Sequence, residues 1–371
     1  MTELAEIAVF TGAKRPFELR EFPVPDPEPG AILVKIRMAN VCGTDLHIWK
    51  GEYDISRGRP EPFSLCMGHE MAGEVARLGD GVTTDSLGRP LAVGDRIVYQ
   101  YFCGCGRCPS CLRQKTPRCQ QGLRYRYPAT QWPHFNAAYG QYYYLHPEQK
   151  VFKVPENVSD DLAGPANCAL AQVVYALERG NAQPGDSLVI QGAGGLGLNA
   201  VAVARERGVS NIIVIDALEE RLELARQFGA DHTLSLKEFP KAEDRLAEVR
   251  RLTEGWGADL VLEVAGTPRA FVEGVDLLGQ GGTLLEVGNI SQKQTVEFDP
   301  STLLHGGKTI LGIMWYEPSA LGVALDLLSR KQGAYPFSKV LSHRFPLRRI
   351  NEAFAEQNAG KIQRAALMPW E

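Results

Sequence analysis

The chain has 371 residues, enough for two domains of ordinary size, and its 44% hydrophobic and 23% charged content is the balance of a soluble globular protein. A formal net charge of −4 and a pI near 6.0 argue against any general attraction to nucleic acid or to an anionic membrane. Apolar runs are broken by charge or glycine well before the roughly 20 residues that span a bilayer, and the opening MTELAEIAVF lacks the basic stretch and apolar core of a secretory signal, so a cytoplasmic protein is expected.

In chain order, the first 165 or so residues are rich in glycine, proline and short β-branched runs. Ala31–Ile36 and Asp95–Tyr99 read as short strands joined by turns, and Asp85–Pro90 as a surface turn. Between them lie Cys42 and His69, each in a short polar stretch, Cys42-Gly43-Thr44-Asp45-Leu46-His47 and Gly68-His69-Glu70. A compact C-x2-C-x2-C-x7-C run then places Cys105, Cys108, Cys111 and Cys119 at the spacing of a four-thiolate zinc site. Four thiolates close a tetrahedral shell, which makes such a site structural. Cys42, His69 and the later Cys168 form a scattered set of three, which leaves a fourth position open for water or an alcohol and so reads as catalytic. Eight cysteines, most of them clustered at metal spacing and without a secretory signal, are expected as reduced thiols. Cys66 and Cys103 stand outside both sets as spectators.

From Ser187 the texture changes. Leu188–Ile190, Ile212–Ile215, Leu260–Val264, Thr283–Val287 and Ile310–Ile313 are short apolar runs alternating with helical stretches, the pattern of a parallel, doubly wound sheet. The first of these runs leads into Gly192-Ala193-Gly194-Gly195-Leu196-Gly197, followed by a helical stretch from Leu198 to Arg207. In this context Gly192 allows a tight turn, Gly194 a close approach of pyrophosphate to backbone N–H groups at a helix start, with Gly195 and Leu196 beside it, and Gly197 close helix–strand packing. The second run ends in Asp216, 19 positions after Gly197, where a carboxylate can accept the ribose hydroxyls and repel a 2′-phosphate. NAD is therefore expected over NADP, although Arg221 nearby could attract a phosphate. After Trp315 one helix is expected near Ala320–Leu328, then short mixed elements ending in Arg364–Met368 that return to the first domain.

These motifs, in this order, resemble the zinc-containing medium-chain alcohol dehydrogenases over essentially the whole chain. The resemblance implies an α/β fold with a GroES-like β-rich catalytic domain built from residues 1–165 and 316–371, carrying a structural zinc lobe at about 103–119, and a Rossmann domain at 166–315. It implies two zinc ions, one on Cys42, His69 and Cys168 and one on the four-cysteine lobe. Asp45 and Glu70 would support the ligands, Thr44 and His47 would relay a proton, and Arg364 would pair with the cofactor pyrophosphate. Trp49 and Tyr101 would line the substrate cleft, with the Arg124–Tyr127 segment at its mouth or on a subunit edge, and Gln172 would stand beside the nicotinamide.

The activity expected is hydride transfer between a hydrophobic primary or secondary alcohol and NAD, by a homo-oligomer, dimer or tetramer, acting on small molecules and on neither nucleic acid nor membrane. The competing readings are a zinc-independent quinone or enone reductase, which has no reason to keep Cys42, His69 and the lobe, and a cofactor-binding protein of the same fold without turnover.

Overall fold

The computed structural model describes residues 3–56, 58, 61–122, 125–341 and 343–371. The chain divides into two compact units. One holds residues 1–168, 317–332 and 337–371, the other 169–316 and 333–336, so Cys168 closes the first long segment of the first unit.

The first unit is built on β1 (Leu4–Phe10), β2 (Glu18–Pro23), β3 (Ile32–Asn40), β4 (Leu65–Cys66), β5 (Glu70–Leu78), β6 (Arg96–Tyr99), β7 (Tyr142–Leu145) and β8 (Val151–Lys153). β1 pairs antiparallel with β2 and β4 in a small sheet, and β3 is the spine of a larger one. Along β3, Ile32, Val34 and Ile36 enter one apolar core while Leu33 enters a second, the period-2 alternation of a strand covered on both faces. Its whole length pairs with β5, and its first residues pair with β7. The expected Asp85–Pro90 turn is present, but it is pinned rather than loose: Asp85 is buried and accepts the backbone N–H groups of Leu87, Arg89 and Lys153.

The second unit is an all-parallel sheet of β9 (Ser187–Gln191), β10 (Asn211–Asp216), β11 (His232–Ser235), β12 (Ala258–Glu263), β13 (Leu278–Glu286) and β14 (Thr309–Gly312). The strand order β11-β10-β9-β12-β13-β14 reverses direction at β9, the doubly wound order in which ligands bind outside the carboxyl ends of the strands at the switch point. Leu188, Val189, Ile190, Ile212, Ile213 and Val214 are fully buried, which is why these strands read as continuous apolar runs.

The chain then returns to the first unit through the helix Pro318–Lys331 and adds β15 (His343–Pro346) and β16 (Ala365–Met368), completing the order β15-β16-β3-β5-β6-β8. Asn40 of β3 faces Glu70 on one side and Ala366 on the other. That register sets Arg364, just before the C-terminal strand, across β3 from Glu70 at the start of β5. Among the described residues no helix is long and apolar enough to cross a membrane.

Candidate metal centre and cofactor-binding site

Cys42 sits between the end of β3 and the helix Gly43–Lys50, as its N-cap. His69 and Glu70 stand at the start of β5, and Cys168 lies in a π-helical turn, Ala166–Leu170. One donor atom from each of Cys42, His69, Glu70 and Cys168 falls within 4.8 Å of all the others, with the two sulfurs 3.9 Å apart. The three ligands expected from the sequence thus converge, and Glu70 joins them.

Asp45 is fully enclosed behind this set. Its Oδ1 lies 3.4 Å from His69 Nδ1, while Oδ2 accepts the Cys42 backbone N–H at 3.1 Å and the Tyr139 hydroxyl at 2.7 Å. A carboxylate bound in this way fixes the imidazole's orientation and strengthens it as a ligand. Burial pushes the His69 imidazole down, but the charge of Asp45 and the neighbouring Cys42 carry it up to about 10. The bond from Cys168, with His69 behind it, holds Cys42 well below the ordinary thiol range against the effect of burial, and Cys168 is raised in turn by that bond to Cys42. The pocket therefore favours positive charge among soft donors, which fits zinc.

Arg364, expected to pair with the cofactor pyrophosphate, has a carboxylate partner within the protein. It is 8% exposed, and its guanidinium donates to Glu70 Oε2. A guanidinium this deep needs a carboxylate, and the β3–β16 register supplies Glu70. Burial raises the Glu70 carboxyl to about 8 despite the opposing charge of Arg364.

Tyr101 packs its ring 4.7 Å from the His69 ring, centroid to centroid, and lines a cavity beside His69 together with Tyr125, Arg126, Asn136 and Tyr143. Its wall is largely aromatic and carries a guanidinium as well. Arg124 lies outside the described residues. Trp49, expected in the substrate cleft, donates its indole N–H to the Arg15 carbonyl at 3.0 Å and packs against Phe354. Thr44 and His47 share the helix that begins after Cys42, and His47 Nδ1 lies 2.6 Å from Glu52 Oε2.

Cys105, Cys108, Cys111 and Cys119 form a second four-donor cluster. The Cys105 N–H reaches Cys119 Sγ at 3.4 Å, and Cys108 and Cys119 sulfurs are 3.9 Å apart. Backbone N–H groups, that of Arg107 foremost, bring Cys105 down to about 6. Thr116, within the lobe, donates both its N–H and its hydroxyl to Glu317, the N-cap of the helix Pro318–Lys331. Cys66 and Cys103 are buried outside both clusters, and burial pushes Cys66 up to about 12.

In the second unit the three motif glycines have distinct reasons. A Cβ on Gly197 would stand 1.9 Å from the Gly192 carbonyl oxygen, and one on Gly192, at φ +105°, about as close as 3.0 Å to the Ala265 nitrogen. Gly194 has ordinary φ, and nothing of the protein lies within 4 Å of where its Cβ would be. Gly194 caps the helix Gly195–Glu206, with Leu196 in its first turn, so open space lies against N–H groups at a helix start. That space suits a pyrophosphate. Asp216, at the end of β10, accepts the Ala193 N–H at 2.7 Å and the Leu218 N–H at 2.9 Å, with Arg221 3.9 Å away. Gln172 donates to the Trp315 carbonyl at 3.2 Å.

Sequence reading had not paired Tyr139 with Asp45, nor singled out Asn167 or the acids at the strand ends. Glu263 and Glu286 face each other across β12 and β13, bridged by the Asn289 amide at 3.1 Å to each.

Two family models match the chain: an alcohol dehydrogenase GroES-like domain over residues 28–156 and a zinc-binding dehydrogenase domain over 195–330. A curated 5-exo-hydroxycamphor dehydrogenase of Pseudomonas putida is 32% identical over 97% of both chains. The chain belongs to the zinc-containing alcohol dehydrogenases of the medium-chain dehydrogenase/reductase superfamily. Within that family, an L-threonine 3-dehydrogenase of Pyrococcus horikoshii is 31% identical over 95% of this chain and 94% of its own. Among solved structures, an alcohol dehydrogenase of Thermotoga maritima superposes with a TM-score of 0.89 at 31% identity, covering 99% of both chains. The benzyl alcohol dehydrogenase of Acinetobacter calcoaceticus gives 0.84 at 28% identity, with the same coverage.

Proposed function

We propose that the protein oxidises a primary or secondary alcohol with a largely apolar body, or reduces the matching carbonyl compound, using NAD. It would hold two zinc ions, one on Cys42, His69 and Cys168 with Glu70 adjacent, the other on the four-cysteine lobe. The observation that carries this reading is the convergence of those donors with Asp45 behind His69. The relatives named for hydroxycamphor, threonine and benzyl alcohol have a carbinol in common and little else, which supports the reaction class.

When bound, zinc supplies Lewis acidity toward the alcohol oxygen, and NAD supplies the hydride acceptor. The protein's own share is positional and acid–base. Asp45 orients His69, and Arg364 neutralises Glu70. Tyr101 covers His69 with an aromatic face that displaces water. Thr44 accepts the alcohol proton as it hands on its own hydroxyl proton, and His47, bonded to Glu52, passes a proton on toward solvent. Asp216 selects NAD by accepting ribose hydroxyls, while its partner Arg221 is too occupied by it to favour a phosphate. A cytoplasmic homo-oligomer, dimer or tetramer, is the form proposed.

The test is a spectrophotometric screen of primary, secondary, cyclic and aromatic alcohols and their carbonyl counterparts with NAD(H) and NADP(H), alongside metal analysis. NADH formation from some alcohol, abolished in Cys42→Ser, is expected. Protein carrying both zincs yet inert toward every alcohol and carbonyl compound offered would refute the proposal.

A further inference from the structure

Asn167 immediately precedes Cys168 and is fully buried. Its amide nitrogen donates to two backbone carbonyls, that of His69 at 2.8 Å and that of Tyr99 at 2.9 Å. Those carbonyls belong to different strands: His69 leads into β5, and Tyr99 ends β6. The paired register of β5 and β6 consists of Gly73 with Ile97 and Glu74 with Arg96, so toward the metal centre the ladder has stopped. A buried carbonyl without a donor is costly, so some group has to fill the gap. The Asn167 amide does so for both strands at once.

The consequence for the centre follows from chain connectivity. One residue after the amide, Cys168 presents its sulfur to Cys42. One of the two bonded carbonyls is that of the ligand His69, and the other lies two residues before Tyr101, which covers the His69 ring. Two neighbouring residues can both point inward because the backbone here is a π turn, Ala166–Leu170, entered at Pro165, which has no N–H to continue the preceding helix. The helix carrying this turn packs closely, since a Cβ on Gly164 would stand 2.8 Å from Asn40 Nδ2.

We infer that Asn167 is a positioning residue for the proposed metal centre: its two-pronged amide fixes Cys168 against the His69 and Tyr101 segments and so sets the spacing of the donors. This rests on the reading of Cys42, His69 and Cys168 as zinc ligands. The residue type is dictated, because two carbonyl oxygens call for a neutral group with two donors. Aspartate would set negative charge against both, and leucine would leave both unmet.

The experiment uses full-length protein bearing Asn167→Leu or Asn167→Asp, loaded with zinc or with cobalt, and titrates metal out with graded chelator. The four-cysteine lobe is the internal reference. The expected result is metal held about 10–100-fold more weakly at the Cys42–His69–Cys168 centre with a displaced cobalt absorption band, Asp being worse than Leu, while the lobe keeps its wild-type affinity. Affinity within about twofold of wild type with an unchanged cobalt band would overturn the inference, as would parallel loss from both sites, which is the mark of a residue needed only for folding. If neither variant folds, Asn167→Ser, which retains a hydroxyl donor, is read by the same criteria. Wild-type protein that binds metal only in the lobe would defeat the underlying reading instead, so the two failures are distinct.

Discussion

Arg364 and Glu70, 294 residues apart in sequence, form a buried ion pair beside the donors Cys42, His69 and Cys168. Breaking one side of such a pair strands a charge, whereas replacing both sides with neutral groups of similar size is far cheaper. Above about pH 8, where the Glu70 carboxyl is ionised, Glu70→Gln is expected to lower unfolding stability by about 3–5 kcal/mol, and the double variant Glu70→Gln/Arg364→Leu to recover much of that loss. Denaturant titration of Glu70→Gln, Arg364→Leu and the double variant checks this. A double variant as unstable as the sum of its singles would show that the pair does not act as a unit.

The glycine loop gives a prediction that separates folding from binding. Gly197→Ala forces a methyl against the Gly192 carbonyl and should cost about 1–3 kcal/mol or more. Gly194→Ala meets open space and should leave stability within about 0.5 kcal/mol of wild type. It should still weaken NADH by roughly ten- to a hundredfold, because the methyl occupies ground the pyrophosphate needs. Calorimetric titration with NADH, paired with thermal melts, reads both. Unaltered NADH affinity in Gly194→Ala would remove the cofactor from this loop.

Thr44→Ala should cut turnover by about 10²-fold or more at every pH, since an acid–base group is worth that much. His47→Gln should slow turnover mainly at low pH, where hydroxide is too scarce to carry the proton away in its place, and Glu52→Gln should reproduce part of that effect through its bond to His47. Rate profiles against pH decide the matter. Identical, pH-independent losses in the Thr44 and His47 variants would contradict a relay.

Burial and the facing charge of Glu286 raise the Glu263 carboxyl to about 8, well above its unfolded value of about 4.3. A raised acid holds its proton in the folded protein when the unfolded chain has already lost it. Its contribution is therefore complete below about pH 4.3 and is lost as pH climbs through about 8. Stability should fall over that window in wild type, and less steeply in Glu263→Gln, which keeps a neutral group beside Asn289. Equal slopes for both proteins, measured by unfolding free energy against pH, would refute it.

What the sequence made legible was local. The four-cysteine spacing, the glycine loop ending in Asp216 and the apolar runs of β9 to β14 all lie within short windows where pattern and geometry coincide. Residues whose roles come from pairing across the fold were harder to read. Tyr139 and Asp45 are 94 residues apart, and Asn167 reaches His69 over 98. Arg364 was legible as a functional cation but not as Glu70's partner, because that depends on which strand β16 joins. The anchoring of the Trp49 indole N–H on the Arg15 carbonyl, 34 residues away, was likewise beyond local pattern. β2, with three charged residues among its six and none of them buried, carries too little apolar signal to stand out. For Asn167 one clue existed, its adjacency to Cys168.

The ion pair also bears on how the protein is made. Glu70 leaves the ribosome long before Arg364, and β3 must wait for β16, whereas every strand of the parallel sheet from β9 to β14 has emerged by then. The parallel-sheet unit can thus form while its neighbour is still unfinished, and the donors Cys42, His69 and Cys168 stay incompletely walled in until β16 has joined β3. A chain interrupted before that strand would carry a finished parallel sheet and an open set of soft donors.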